Sequence, residues 1–272
     1  MFSMASAAEK KLKGRFFQST DYHTIPGGGK KLEYLFSVLL RMKAARPRMK
    51  VLDVGCGNGA IAFAVASLGH DVLAVDVNES SIEHARTVNR SPNARFKAVS
   101  DDGFDLNDTY DLIICSEVLE HLHRPQRLLK TMARHLKEDG VLLITVPNGY
   151  GPREVLGRTE KVLRERLRLG SVIDRARAGV KMMDLATKCA VHTSNPDQDH
   201  VQKFTVGQLN ELIADAGLII IETVNSIFMF SVMLRTNSGI VDRFDARLAD
   251  WLPRFMVSGW YLLCRRFPGR DK

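Results

Sequence analysis

The run Val51-Leu52-Asp53-Val54-Gly55-Cys56-Gly57-Asn58-Gly59, followed by Val72-Leu73-Ala74-Val75-Asp76, constrains this chain more than any other feature. The first stretch predicts a buried strand that ends in a glycine-rich turn and opens a helix. The second predicts the next parallel strand, ending in a carboxylate. Glycines let the backbone come close to a ligand, and the amide hydrogens at the start of the helix point toward it. Asp76 then stands where a carboxylate accepts hydrogen bonds from a ribose diol. Together the two stretches point to a nucleoside cofactor.

Two cofactor classes fit the turn. Gly55-x-Gly57-x-x-Ala60 satisfies the dinucleotide fingerprint, whose last position accepts Ala. The chain adds Asp53 two residues before the first glycine, and Gly59 makes the turn Gly-x-Gly-x-Gly. A carboxylate at Asp53 is awkward beside a pyrophosphate and suited to a cofactor carrying an ammonium and a sulfonium. The run resembles the first motif of class I S-adenosylmethionine-dependent methyltransferases. That resemblance implies a Rossmann-like α/β fold: a seven-stranded, mostly parallel sheet with an antiparallel last strand and helices on both faces. It implies S-adenosyl-L-methionine as cofactor, with Asp53 facing the amino-acid end and Gly55, Gly57 and Gly59 beneath it. Asp76 is expected at the ribose and Asp101, or its neighbour Asp102, at the adenine amino group. Cys56, Val77 and Cys115 complete the expected contacts.

The rest of the chain alternates as such a fold requires. Strand Val51–Val54 precedes helix Ala60–Leu68, and strand Val72–Val75 precedes helix Ser80–Asn89, with Asn78 or Ser80 as cap. Strand Ala94–Val99 leads to an acidic loop. Strand Asp111–Cys115 precedes a helix over Val118–Leu136 with a break near Pro125, Gly140 ends that helix, and strand Val141–Val146 follows. Later come helix Val206–Ala216, strand Leu218–Val224 and a last strand Gly259–Cys264. Such alternation argues for right-handed crossovers and a parallel sheet covered on both faces. We read one domain over 1–272: an N-terminal helical segment (1–50), a cofactor-binding core (51–150), a basic lid insert (151–205) and C-terminal strands with a second insert (206–272). Within the first segment, Pro26-Gly27-Gly28-Gly29 reads as a flexible break before a helix over Leu32–Met42.

Charge follows the same division. Residues 1–50 carry a net +8, residues 51–150 a net −5 and residues 151–190 a net +5. Basic flanks around an acidic core suit an anionic partner, although solvated helix faces have the same composition. The four cysteines, Cys56, Cys115, Cys189 and Cys264, form no C-x-x-C pair, which points to a reducing compartment without structural zinc. Lys10, Lys11 and Lys13 arrive too early for a secretory signal, and no run of about 18 apolar residues is present. The expectation is a cytoplasmic protein, peripheral at most to the inner face of a membrane.

The exit of the fourth strand reads Cys115-Ser116-Glu117-Val118-Leu119-Glu120-His121-Leu122. With Gly140-Val-Leu-Leu-Ile-Thr-Val-Pro147-Asn148 and Asp199-His200-Val-Gln-Lys203-Phe204-Thr205, it is similar to the branch that includes ubiquinone-biosynthesis O-methyltransferases and bacterial small-molecule and glycan methyltransferases. Enzymes that methylate exocyclic amines of bases carry an Asn/Asp-Pro-Pro-aromatic run here, which this chain lacks. On a helix, Glu117, Glu120 and His121 would share one face. The resemblance implies that these three, with His200, face the acceptor. They do so either as ligands of a divalent cation, Mg²⁺ or Zn²⁺, that chelates a vicinal diol, or as a base set in which His121 takes a hydroxyl proton without metal. His123 points to another helix face.

Between these motifs the inserts hold the acceptor clues. Val155, Leu156, Val162, Leu163, Leu167 and Leu169 recur at helical spacing among Arg158, Lys161, Arg164, Arg166 and Arg168. That pattern suits either a membrane surface or a lid with a solvated face. Phe228 to Leu234 add an apolar stretch, Trp251 is a candidate interface anchor, and Trp260 and Tyr261 read as packed. The expected reaction is methyl transfer to a hydroxyl oxygen of a small-molecule, glycan or lipid-linked acceptor. Two alternatives stay open. An RNA ribose 2′-O-methyltransferase is favoured by the pI near 9.4 but lacks a recognisable RNA-binding module. A cofactor-binding protein without catalysis is opposed by the intact motifs.

Overall fold

The computed structural model describes residues 6–21, 27–100, 104–152, 154–155, 201–228 and 239–268. Two helices precede the sheet, α1 (Ala7–Gln18) and α2 (Gly28–Lys43). A capping box of Ser6 and Glu9 starts α1, satisfying amides that have no partner inside the helix. The glycine run expected to break the chain instead opens α2. Gly27 is its N-cap at φ 79°, a conformation glycine adopts without strain. A Cβ there would stand 3.0 Å from Ile227 Cδ1.

Strand and helix then alternate: β1 (Lys50–Val54), α3 (Ala60–Ser67), β2 (Asp71–Asp76), α4 (Glu79–Val88), β3 (Ala94–Ala98), β4 (Tyr110–Ser116), a 3-10 turn (Leu119–His121), α5 (Pro125–His135) and β5 (Leu136–Pro147). Beyond the undescribed residues 156–200 come α6 (Val206–Asp215), β6 (Leu218–Asn225), α7 (Gly239–Trp251) and β7 (Gly259–Arg266). The seven strands lie in the order β3-β2-β1-β4-β5-β7-β6. β1 pairs parallel with both β2 and β4, and β7 runs antiparallel to β5 and β6. The expected seven-stranded sheet with an antiparallel last strand is therefore present. Strand order reverses between β1 and β4, so ligands are expected beyond the carboxyl ends of these strands.

Side chains alternate across the sheet and feed two cores. Val51, Leu112, Ile114 and Leu143 pack with Phe16, Leu35, Leu39 and Val65 from α1, α2 and α3. Leu52, Ile113, Cys115 and Ile144 pack with Leu129, Met132, Leu209 and Ile213 from α5 and α6. Burial on both faces explains why the strands read as continuous apolar runs rather than alternating ones. Trp260 and Tyr261 are packed inside, as expected.

The main departure from the sequence expectation is the stretch 117–147. Of the helix expected over Val118–Leu136 with a break near Pro125, only the part beyond the break forms: a single 3-10 turn covers Leu119–His121, and α5 begins at Pro125. Proline has no amide hydrogen and a fixed φ, so it belongs at a helix start rather than inside one. Gly140 does not end the helix either. α5 stops at His135, and Leu136 already pairs with Tyr110, so Gly140 lies within β5.

Candidate functional site

The cofactor end is built by the turn after β1. Gly55, Gly57 and Gly59 all have positive φ (70°, 50° and 86°). A Cβ on Gly55 would lie 2.3 Å from Val118 Cγ2, and one on Gly59 2.7 Å from Phe96 Cε1. The turn is thus fixed by both conformation and space. Gly55 and Cys56 donate their amides to the Val75 carbonyl, and Gly57 donates to Asp76 Oδ2 at 2.7 Å. Asp76 Oδ1 accepts from the Asn78 amide at 2.8 Å. Two bonds leave part of a carboxylate's capacity of about four free for hydroxyl donors. Asn78, not Ser80, caps α4.

Asp53 is fully buried on β1, and its Oδ2 has no hydrogen-bond partner. Burial, together with the charge of Asp76, pushes its pKa up to about 7, against the pull of the Ala62 amide. The Cys56 thiol is raised well above its usual range by burial and by the two aspartates. Val77 is half exposed just past β2. Cys115 is wholly buried in the core with α5, which leaves only its backbone at the edge of the sheet. Asp101 and Asp102 lie outside the described residues, as does His200.

The residues expected to face the acceptor follow β4. Glu117 has φ 55°, the one positive φ outside glycine among the described residues. A non-glycine residue held in this region is costly and collects at functional sites. Its Oε1 accepts from Thr145 Oγ1 (2.8 Å) and from Lys31 Nζ (3.2 Å), and Lys31 also reaches Ser116 Oγ (3.1 Å). Glu117 precedes the 3-10 turn instead of sharing a helix face with Glu120 and His121, which corrects that expectation. Glu120 is 1% exposed, and neither carboxylate oxygen has a hydrogen-bond partner. Burial first, then the charge of Glu117, hold its pKa well above the usual carboxylate range. Its Oε1 lies 3.9 Å from His121 Nε2. Gln202, two residues beyond His200, donates its amide to the Glu120 carbonyl (2.9 Å) and its side chain to the His123 carbonyl (3.2 Å). Gln202 therefore docks on this turn.

No group of three His, Cys, Asp or Glu side chains among the described residues is arranged to hold a metal. Glu117 already has a counter-charge in Lys31. The sequence does not single out Lys31, Ser116 or Thr145: Lys31 stands in the basic first segment, and nothing in its local pattern points to a partner 86 residues away.

A profile of methyltransferase domains matches residues 29–223. The chain belongs to this family. The methyltransferase domain is 30% identical over 129 residues to a ubiquinone biosynthesis O-methyltransferase of Rickettsia canadensis, covering 47% of this chain and 55% of the relative. It is 35% identical over 101 residues to the mitochondrial ubiquinone biosynthesis O-methyltransferase of Schizosaccharomyces pombe, covering 35% and 37%. The chain spans about half the length, or less, of these curated relatives. In fold it is similar to an S-adenosylmethionine-dependent methyltransferase from Clostridium acetobutylicum, with a TM-score of 0.53 at 13% identity over 96% of this chain and 99% of that one. A protein from Pyrococcus horikoshii gives 0.54 at 17% identity over 94% and 98%. The architecture is that of class I S-adenosylmethionine-dependent methyltransferases.

Proposed function

We propose that the domain transfers the methyl group of S-adenosylmethionine to a hydroxyl oxygen of a small-molecule, glycan or lipid-linked acceptor. The residues fit the cofactor on their own chemistry. The glycine turn, held against Val118 and Phe96 with no room for a Cβ, keeps bare backbone at the carboxyl end of β1. Asp53 offers a buried carboxylate oxygen with no donor, suited to an ammonium. Asp76 keeps acceptor capacity for a ribose diol. When bound, the cofactor supplies an electrophilic methyl on a sulfonium sulfur.

The observation that carries hydroxyl transfer is the pair of carboxylates beyond β4 whose surroundings differ. Glu117 is compensated by Lys31, whereas Glu120 is buried beside His121 with no donor. Groups whose environments are pushed apart in this way are where acid and base roles are found. In this reading, an acceptor hydroxyl loses its proton to an imidazole nitrogen of His121, and Glu120 in its ionised form offsets the charge that results. Glu117, fixed by Thr145 and Lys31, orients the acceptor. Methyl transfer is a direct displacement, so alignment and deprotonation are the main contributions of the protein. The names of the ubiquinone O-methyltransferase relatives support oxygen as the acceptor atom.

The test is calorimetric titration with S-adenosylhomocysteine of the wild type and Asp76→Ala, with EDTA and with added Mg²⁺ or Zn²⁺. A panel of catechols and other hydroxyl acceptors with radiolabelled cofactor follows. Binding by the wild type, weakened at least about 100-fold in Asp76→Ala because two or more hydrogen bonds to a charged group are lost, is the expected result. Absence of binding under every condition would sink the proposal. A requirement for metal in turnover would assign Glu117, Glu120 and His121 as ligands instead of a base set.

A further inference from the structure

The second insert carries a surface that the site does not use. α7 exposes Ile240 (73%), Phe244 (59%) and Trp251 (89%), and the 3-10 turn that follows exposes Phe255 (70%). At about 100° per residue, Ile240, Phe244, Arg247 and Trp251 fall on one stripe, with Arg243 at its edge. The opposite face carries Asp245 and Ala249, both wholly buried. So α7 has one packed face and one open, largely apolar face. Large aromatics on an exposed helix face are uncommon unless something covers them.

Charge indicates what covers this one. Arg243, Arg247 and Arg254 are exposed on or beside the stripe. Of the three acids of α7, Asp242 and Asp245 lie on the opposite face, and Asp250, half exposed at the edge of the stripe, is neutralised by Lys30, whose Nζ donates to it at 2.6 Å. The outward face is therefore tryptophan, phenylalanine, isoleucine and arginine. We propose that this face docks on an anionic phospholipid surface, with the apolar side chains in the interface and the arginines against the headgroups. The 13-residue helix, about 20 Å long, is of a length to lie in the surface and cannot cross it.

The docking face is fastened to the acceptor end. Lys30 Nζ donates to the carbonyls of Ser226 (2.7 Å) and Ala246 (2.9 Å) as well as to Asp250. The next residue, Lys31, holds Glu117. Asn148, at the end of β5, donates to the carbonyls of Phe255 and Val257. Docking through α7 would set the mouth of the site at the membrane, where an acceptor borne by a lipid would be presented.

The chain supplies its own reporter. It has two tryptophans, and Trp260 is buried, with its Nε1 donating to the Arg254 carbonyl. A change in emission on adding lipid therefore reports Trp251. The experiment adds vesicles of phosphatidylcholine, with or without phosphatidylglycerol, to the full chain, and follows emission and co-sedimentation. A blue shift and pelleting with the phosphatidylglycerol vesicles are expected. Binding should be weakened by about 10-fold or more in Trp251→Ser/Phe255→Ser, which removes two interface anchors, and less in Arg243→Glu/Arg247→Glu. Both variants should melt as the wild type does, since the altered side chains are exposed. Three results would overturn the proposal: no shift with anionic vesicles, equal pelleting of the double variant, or a blue shift that grows with protein concentration in the absence of lipid. The last would assign the face to a second copy of the chain. None of these readings depends on the methyl acceptor.

Discussion

The two edges of the sheet treat buried carboxylates in opposite ways. At the amino-terminal edge Asp111 is buried, and both oxygens are satisfied: Oδ1 by Lys137 Nζ (2.9 Å) and Arg46 (3.3 Å), Oδ2 by the Lys50 amide (2.8 Å). His70 nearby is buried too, and desolvation lowers its pKa to about 4, so it stays neutral and needs no counter-ion. At the carboxyl edge Asp53 and Glu120 are buried with oxygens that have no partner. A buried polar group without a partner is destabilising, and more so if charged. The carboxylate at one edge is therefore arranged for stability, although the buried His70 Nε2 beside it has no partner. The other edge holds unmet hydrogen-bonding capacity that a ligand or a proton can satisfy.

The largest expected effect is at Glu120. Glu120→Gln keeps the shape and removes a group that can hold or release a proton, so turnover of whichever acceptor the panel identifies should fall about 10²- to 10⁴-fold. Stability should move the other way. The raised pKa means that the native state holds a proton the unfolded chain has released, so wild-type stability declines as pH rises above the ordinary glutamate range. The variant lacks that decline and should be more stable at pH 8 by about 1–2 kcal/mol. Thermal melts and initial rates on the same preparations check both. Loss of activity together with loss of stability would make Glu120 a structural residue and erase the contrast between the edges.

Asp111 should behave in the reverse sense. Asp111→Ala leaves Arg46, Lys137 and the Lys50 amide without their shared acceptor, and destabilisation of about 2–3 kcal/mol is expected. Arg46 retains Asp139 as a partner, which keeps the figure below that for a fully stranded ion. Titration with S-adenosylhomocysteine should give an unchanged affinity. A weakened affinity would mean that the two edges are coupled through β4.

How much of this was legible in the sequence depends on the range of the interaction. The glycine turn, Asp53 and Asp76 are read from one strand-turn-helix and its neighbour, and the structure places them together because parallel pairing of β1 with β2 follows from that unit. In the run after β4, the break near Pro125 is legible but the stretch before it, which the spacing predicts as helix, is not one. Its apolar spacing suits one, but the decision lay with Glu117 in a left-handed conformation and Pro125 at a helix start. The Lys31 contact, the docking of Gln202 and the attachment of α7 through Lys30 join residues far apart in the chain. No local period encodes such pairings, since register and side-chain reach are set by tertiary packing.

The smallest effect sharpens the comparison most, because it tests a single proton. Asp53 has its pKa raised to about 7 by burial and by Asp76, and only the ionised form attracts an ammonium. Between pH 6 and pH 8 the ionised fraction rises by about tenfold, so the affinity for S-adenosylhomocysteine should strengthen by about tenfold, or 1.4 kcal/mol. Stability of the free protein should change in the opposite direction. A carboxylate whose pKa is raised on folding stabilises the native state below its unfolded pKa, and that contribution is lost as pH rises toward 7. Asp53→Asn should abolish both slopes, leaving a protein that binds weakly at every pH and melts higher than the wild type at pH 8. Calorimetry across the pH range, paired with melts in the same buffers, reads the two slopes together. A wild-type affinity that does not vary with pH, or a slope that persists in Asp53→Asn, would show that the unpartnered oxygen on β1 does not meet the ligand.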